Sequence, residues 1–169
     1  MPHPEYTNWP DDIKNFYNKI RDGIKKNGYV IQGTVDGKAE LERPFAYTIG
    51  ASFDIGAEFL CFFPIKDKGL SIISAILNRI FDSVKNGTLS LNSQIIDDNN
   101  IYTLPLAMLV LEEEVKKDIE SVWPKQLERD GILAEFSTND HKLILLICTD
   151  KNGYFPWQEE CEGYWPQIC

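Results

Sequence analysis

Two stretches of the chain carry apolar residues at the three- and four-residue spacing of an amphipathic helix. The first runs from Asp11 to Gly28 and the second from Leu70 to Lys85. Asp11 and Asp12 are expected to cap the first helix, which ends at Gly28, and an Asn-Gly pair after Lys85 ends the second. The apolar positions are Ile13, Phe16, Tyr17, Ile20 and Ile24 in the first helix, and Leu70, Ile73, Leu77, Ile80, Phe81 and Val84 in the second. The pattern therefore predicts two long helices that each bury one face.

Three apolar segments between these helices follow one another closely and predict strands. They are Tyr29–Val35, Pro44–Gly50 and Glu58–Phe63. The links are too short for helical crossovers, so an antiparallel meander is expected. Two further apolar segments predict strands nearer the C-terminus. Tyr102–Leu111 contains Pro105, which favours an edge strand or a strand start, and Leu143–Cys148 predicts a buried strand.

The order of elements predicts an α+β fold. Gln94–Asn100 is interpreted as a polar loop, and the alternating charges of Glu112–Arg129 predict a helix that Pro124 breaks or kinks. We expect an antiparallel or mixed sheet of about five strands with helices packed against it. A chain of 169 residues fits a single domain. Its core is placed at about residues 11–157, between a short N-terminal arm and an acidic C-terminal tail.

The charge of the chain limits the kinds of partner that it favours. Asp and Glu number 26 against 17 Lys and Arg, which gives a formal net charge of −9. Nucleic acids and anionic membrane surfaces attract basic faces, so neither is an expected partner. No apolar run reaches the ~18 residues of a membrane-spanning helix. A basic protein is the partner that this charge favours, and the oligomeric state stays open.

The cysteines favour a reducing compartment. Four are present, at Cys61, Cys148, Cys161 and Cys169, and none form a C-x-x-C pair. The first two lie inside apolar runs, where a thiol behaves as a small hydrophobic group. The first residues lack the basic and apolar regions of a signal peptide, so a cytoplasmic location is expected.

Motifs for common cofactors and catalytic groups are missing from the sequence. The only histidines are His3, in the N-terminal arm, and His141, which is interpreted as a solvated loop residue. No zinc-binding or phosphate-binding motif is present. We therefore expect no metal and no cofactor.

Two segments concentrate residue types that commonly serve function. The first is Phe45–Gly50, in which Tyr47 and Thr48 point to opposite faces of a predicted strand. The second is Asp150–Trp157, a turn with three aromatic residues directly after a buried strand. In a structural interpretation Asp150 caps the turn and the aromatics close the core, so that Trp157→Ala costs ~3–5 kcal/mol and Tyr47 lies near Trp157. In the alternative, the loop is functional.

The chain resembles the bacterial family catalogued as domain of unknown function 4262. The resemblance rests on Gly28-Tyr29, on Phe45–Gly50, on Glu58-Phe-Leu and on Asp150–Trp157. It implies a shared fold and no established activity. The chain has Gly56-Ala57 before Glu58, where the family commonly has His-Pro, so any chemistry of that histidine is absent.

Two functions follow as expectations. The first is a non-catalytic protein-binding domain, such as an immunity protein or an inhibitor of a basic toxin or effector. Its binding surface would include Glu112, Glu113, Glu114, Asp118, Glu159, Glu160 and Glu162. The alternative is a small hydrolase-like enzyme with a carboxylate and tyrosine pocket. There Glu58 would act as base and Tyr47 as acid or oxyanion donor, with Thr48 and Asp150 in the same pocket.

Overall fold

A six-stranded mixed sheet forms the centre of the protein. The computed structural model describes residues 6–34, 45–62, 69–122, 136–138 and 140–162. The strands stand in the order β1-β2-β3-β6-β5-β4. Their bounds are β1 Val30–Thr34, β2 Phe45–Ile49, β3 Ala57–Phe62, β4 Gln94–Ile96, β5 Leu106–Val110 and β6 Lys142–Cys148.

The first three strands form the antiparallel meander that the sequence predicts. Gln32 lies opposite Tyr47 in the β1–β2 pair, and Tyr47 lies opposite Leu60 in the β2–β3 pair. A four-residue helix, α2 (Ser52–Ile55), links β2 to β3. The meander thus brings Phe45–Gly50 and the start of β3 to one end of the sheet.

The last of the described strands, β6, lies inside the sheet. It pairs in parallel with β3, where Glu58 stands beside Leu143, and antiparallel with β5. Five of its seven residues, from Leu143 to Leu146 and Cys148, are buried. The sheet is therefore mixed, and its two edges are β1 and β4.

The polar-loop interpretation of Gln94–Asn100 is wrong, because Gln94–Ile96 forms β4. This strand has only three residues, and Ile96 alone is buried, so it lacks a detectable alternating pattern. Its antiparallel pairing with β5 supplies the backbone hydrogen bonds that make this segment a strand. Pro105 precedes β5, which lies between β4 and β6, so the proline marks a strand start and not a sheet edge.

The helices lie where the apolar spacing places them. They are α1 Asp11–Asn27, α3 Gly69–Lys85 and α4 Glu113–Val122, with a short 3-10 helix at Tyr6–Asn8. Gly28 ends α1 in the left-handed conformation, at a φ of 85°. The capping expectation for Asp11 and Asp12 is wrong, because Pro10 holds the capping position and both acids lie in the first turn. There their negative charges interact favourably with the positive end of the helix dipole.

Two separate apolar clusters cover the two faces of the sheet. On one face α3 contributes Ile73, Ile76, Leu77 and Ile80, which pack with alternate residues of the strands. On the other face α1 contributes Tyr17 and Ile20, which pack with the intervening strand residues. The period-2 alternation of the strands therefore divides one sheet between two helix layers. These layers make a single α+β domain.

Some of the predicted features fall outside the description. The segment from Pro124 to Arg129 lies outside the described residues, as do His3 and Cys169. Asp118 lies on the backbone of α4, and its side chain is outside the description as well. Among the helices that are described, none is long and apolar enough to cross a membrane.

Candidate functional site

The carboxylate of Glu58 lies at the end of the β2–β3 ladder and is only 3% exposed. Oε2 accepts a hydrogen bond from the Thr48 hydroxyl at 2.7 Å. Oε1 accepts hydrogen bonds from the backbone N–H groups of Gly50 and Ser52, each at 3.0 Å, and from the Ser137 hydroxyl at 3.1 Å. Glu58 thus connects β2, β3, the turn before α2 and the distant residue 137.

Local backbone geometry directs these donors at the carboxylate. Gly50 adopts a φ of 92°, and a Cβ at this position would lie 3.0 Å from the side chain of Ile24. Only glycine takes this conformation without strain, and the turn points two N–H groups at Glu58. Thr48 extends the connection, because its hydroxyl also accepts the N–H of Phe59 at 2.8 Å. Thr48 and Glu58 therefore meet, as the sequence predicts.

The chemistry of Glu58 follows from this environment. Burial raises the pKa of Glu58, and the hydrogen bonds from Thr48, Ser52 and Ser137 partly offset that rise. A carboxylate has about four acceptor sites, and four donors are directed at this one. A general base must also come within hydrogen-bond reach of its substrate, and Glu58 is only 3% exposed. The arrangement fits a connecting role between elements better than it fits proton transfer.

Tyr47 lies on the α1 face of the sheet. It belongs to the apolar cluster of that face, together with Ile49 and Leu60. Burial raises its pKa to about 12, so the phenol stays protonated at neutral pH. Thr48 is buried as well, but its hydroxyl is engaged by Glu58 and Phe59.

Asp150 lies at the opposite end of the sheet from Glu58. Glu58 stands beside Leu143 near the start of β6, whereas Asp150 follows the end of that strand. The separation is about 20 Å, since strands rise ~3.3 Å per residue. The expectation that Asp150 shares a pocket with Glu58 is therefore wrong. The apolar run of β6 predicts a strand. Because that strand separates Leu143 from Asp150, the carboxylates of Glu58 and Asp150 lie at different ends of the sheet.

Asp150 organises the segment from Asp150 to Glu162, which we call the aromatic loop. Its Oδ1 accepts the N–H groups of Asn152 and Tyr154, and its Oδ2 accepts that of Glu162, all at 2.9 Å. Desolvation opposes ionisation of the carboxyl, but hydrogen bonds from Tyr154, Glu162, Asn152 and Gly153 together lower its pKa. Asp150 thus caps the turn, as the structural interpretation expects.

The aromatic loop does not close the core. Trp157 is 57% exposed and Tyr154 is 36% exposed. The ring of Trp157 stacks on Phe155, with the centroids 4.7 Å apart and the planes 5° apart. Trp157 therefore contributes little to the buried core, and the ~3–5 kcal/mol cost expected for Trp157→Ala does not apply.

Most of the predicted acidic binding residues are exposed, and they lie in two places. Glu112 directly precedes α4, and Glu113 and Glu114 lie in its first turn. The other three, Glu159, Glu160 and Glu162, lie in the aromatic loop. Glu162 forms an ion pair of 3.2 Å with Lys151. Glu113 lies 3.5 Å from Nζ of Lys116. Among the described residues, the acids of this set without an ion pair are therefore Glu112, Glu114, Glu159 and Glu160.

Lys116 and His141 hold α4 to the start of β6. Lys116 is 4% exposed, and its Nζ donates to the carbonyl oxygen of His141 at 2.6 Å. His141 lies in the loop directly before β6, as predicted. It is half-buried and its Nδ1 contacts the carbonyl oxygen of Thr138, so the expectation that it is solvated is wrong. Neither Lys116 nor Ser137 is predicted from the sequence, because the partner of each is distant along the chain.

Two buried free thiols and a shallow cleft lie elsewhere in the described part of the chain. Cys61 and Cys148 lie with their Sγ atoms 3.8 Å apart, and hydrogen bonding between them together with burial raises the pKa of Cys61. A cleft of about 280 Å³ lies beside α3 and is lined by Arg79 and Tyr102, but by none of the candidate catalytic residues. Within the described ranges, no cluster of His, Cys, Asp and Glu is arranged to hold a metal ion.

A comparison with protein families covers most of the elements described above. A family model described as a domain of unknown function (DUF4262) matches residues 23–162. The chain belongs to the DUF4262 family. The DUF4262 match begins within α1 and includes both the Glu58 connections and the whole aromatic loop. No curated protein and no solved structure matches the chain.

Proposed function

We propose that this chain is a non-catalytic protein-binding domain that captures a basic partner, as an immunity protein or inhibitor does. The observation that carries the proposal is the aromatic loop. It exposes Tyr154 and Trp157 on a backbone that Asp150 holds in place. Tyr and Trp are among the residues that contribute most to protein interfaces. Ordering the loop before binding reduces the entropy that association would otherwise lose.

Charge supports a basic partner. The chain carries a net charge of −9, and the exposed acids of α4 and of the aromatic loop are part of that excess. Opposite charges at the rim of an interface speed association and make it sensitive to salt. An acidic domain is therefore suited to rapid capture of a cationic protein.

The enzyme alternative has weaker support. Glu58 is buried and already accepts four hydrogen bonds from within the domain, and Asp150 lies at the other end of the sheet. The cleft beside α3 is lined by neither of these carboxylates. Proton transfer by Glu58 would require a substrate to reach a side chain that is only 3% exposed.

The test is capture of the partner from extracts of the native cell, followed by association kinetics at two salt concentrations. The captured protein is expected to be basic, and its association rate is expected to fall steeply as salt rises, while dissociation changes little. Replacing Glu159 and Glu160 by Lys should slow association. The matched comparison is the double variant Glu112→Lys, Glu114→Lys, which changes the net charge by the same amount.

Two outcomes would contradict the proposal. One is an acidic partner or an association rate that does not respond to salt. The other is turnover of a small molecule by the purified domain that Glu58→Gln abolishes, which would support the enzyme alternative.

A further inference from the structure

The indole of Trp157 presents one open face to solvent. The ring is parallel to Phe155 and stacks on it at 4.7 Å, so Phe155 covers one of its two faces. Trp157 is nevertheless 57% exposed. The other face is therefore accessible. An indole face carries partial negative charge and attracts cations more strongly than the other aromatic rings do.

The loop backbone fixes this face in position. The N–H of Phe155 donates to the side-chain oxygen of Gln158 at 2.7 Å, and the N–H of Gln158 donates to the carbonyl oxygen of Phe155 at 2.9 Å. Asp150 holds both ends of the loop, through Asn152 and Glu162. Hydrogen bonds within the loop thus hold the stack of Phe155 and Trp157, so the loop need not rearrange to bind a ligand.

Two exposed carboxylates follow Trp157 closely along the chain. Glu159 and Glu160 follow Trp157 by two and three residues, in a turn where the N–H of Cys161 donates to the carbonyl oxygen of Gln158. Both are exposed. In the part of the chain that the structure describes, neither forms an ion pair. Glu162, by contrast, is engaged by Lys151 at 3.2 Å. The charge available beside Trp157 is therefore that of Glu159 and Glu160.

From this arrangement we propose that Trp157 is a seat for an arginine side chain of the partner protein. The guanidinium stacks on the open indole face, and Glu159 or Glu160 accepts hydrogen bonds from its edge. Arginine fits better than lysine, because its planar group stacks on aromatic rings and donates two parallel hydrogen bonds to a carboxylate. The inference rests on the proposed function and specifies how the same surface recognises its partner.

The test uses three short, uncharged-ended peptides that differ at one position, which is arginine, lysine or citrulline. Citrulline keeps the planar shape and removes the charge. The signal is the indole N–H resonance of Trp157 in the intact domain, assigned by its loss in Trp157→Phe. We expect the arginine peptide to shift this resonance in the millimolar range, the lysine peptide to bind several-fold more weakly, and the citrulline peptide to leave it unchanged.

Variants separate the two parts of the seat. Trp157→Leu keeps an apolar side chain and removes the ring face, so it should abolish arginine binding while the melting temperature stays near that of the parent. Glu159→Gln with Glu160→Gln should weaken binding several-fold. Glu112→Gln with Glu114→Gln removes the same charge from α4 and should have little effect.

Either of two results would overturn the seat. These are no shift with millimolar arginine peptide, or an equal shift with the citrulline peptide. If Trp157→Leu still binds the captured basic protein with unchanged affinity, the seat is wrong and protein binding stands. If neither the peptides nor a basic protein bind, both the seat and the proposed function fail.

Discussion

Replacing Glu58 should reveal how much stability its hydrogen bonds provide. Glu58→Ala removes the acceptor for the N–H groups of Gly50 and Ser52 and for the hydroxyls of Thr48 and Ser137. A buried donor without a partner costs about 1–3 kcal/mol. The two backbone groups cannot turn away, whereas the two hydroxyls can seek other acceptors. We therefore expect a loss of about 3–5 kcal/mol from the free energy of unfolding.

Glu58→Gln is the matched control. An amide oxygen in the place of Oε1 keeps three of the four donors satisfied, and only the Thr48 hydroxyl loses its acceptor. This loss should cost about 1 kcal/mol. A domain is commonly stable by only about 5–15 kcal/mol, so the two variants should differ clearly.

The assay is urea unfolding followed by tryptophan fluorescence and circular dichroism. Both variants should unfold at lower urea with an unchanged slope, because the surface exposed on unfolding is the same. A cost for Glu58→Ala below about 1 kcal/mol, or equal costs for Ala and Gln, would show that these hydrogen bonds do not hold the two strands and the turn together.

Two further predictions concern pH and packing. Because the folded pKa of Glu58 is raised, its contribution to stability is present below the ordinary carboxyl pKa and is lost as pH rises through the folded value. The deficit of Glu58→Gln relative to the parent should therefore grow as pH falls, and urea titrations at several pH values that show a constant or shrinking deficit would refute this. Gly23→Ala should destabilise α1 despite the better helix propensity of alanine, because the added Cβ would lie 2.3 Å from Cγ1 of Val30. Thermal unfolding measures this destabilisation. Adding Val30→Ala to the Gly23→Ala variant should recover the lost stability.

The long elements of the fold are predictable because their signals are local. The spacing of Ile73, Leu77 and Ile80 predicts α3, and the apolar run of β6 predicts a buried strand. The four-residue α2 and the three-residue β4 are too short to carry a period. Both are stabilised by neighbours, β4 by β5 and the start of α2 by Glu58, which local sequence does not show.

The candidate site is only partly predictable for a related reason. Thr48 and Glu58 come together because consecutive strands of a meander pair, and that pairing follows from short links. The distance between Glu58 and Asp150 depends on the parallel pairing of β3 with β6, whose partners are far apart in the chain. The exposure of Trp157 depends on how Asp150 turns the chain after β6, since an aromatic-rich sequence suits a core end as well as a surface.

The position of β6 has a consequence for how the domain assembles. β6 is the last of the described strands along the chain, yet it lies between β3 and β5. Until Lys142–Cys148 has been synthesised, the meander of β1, β2 and β3 and the pair of β4 and β5 have no strand to join them, and each leaves an apolar edge open. Pairing over so long a separation slows folding, and open edges favour association between chains. Completion of the sheet is therefore a late event, and an incomplete chain that ends before β6 exposes two surfaces that the finished domain conceals.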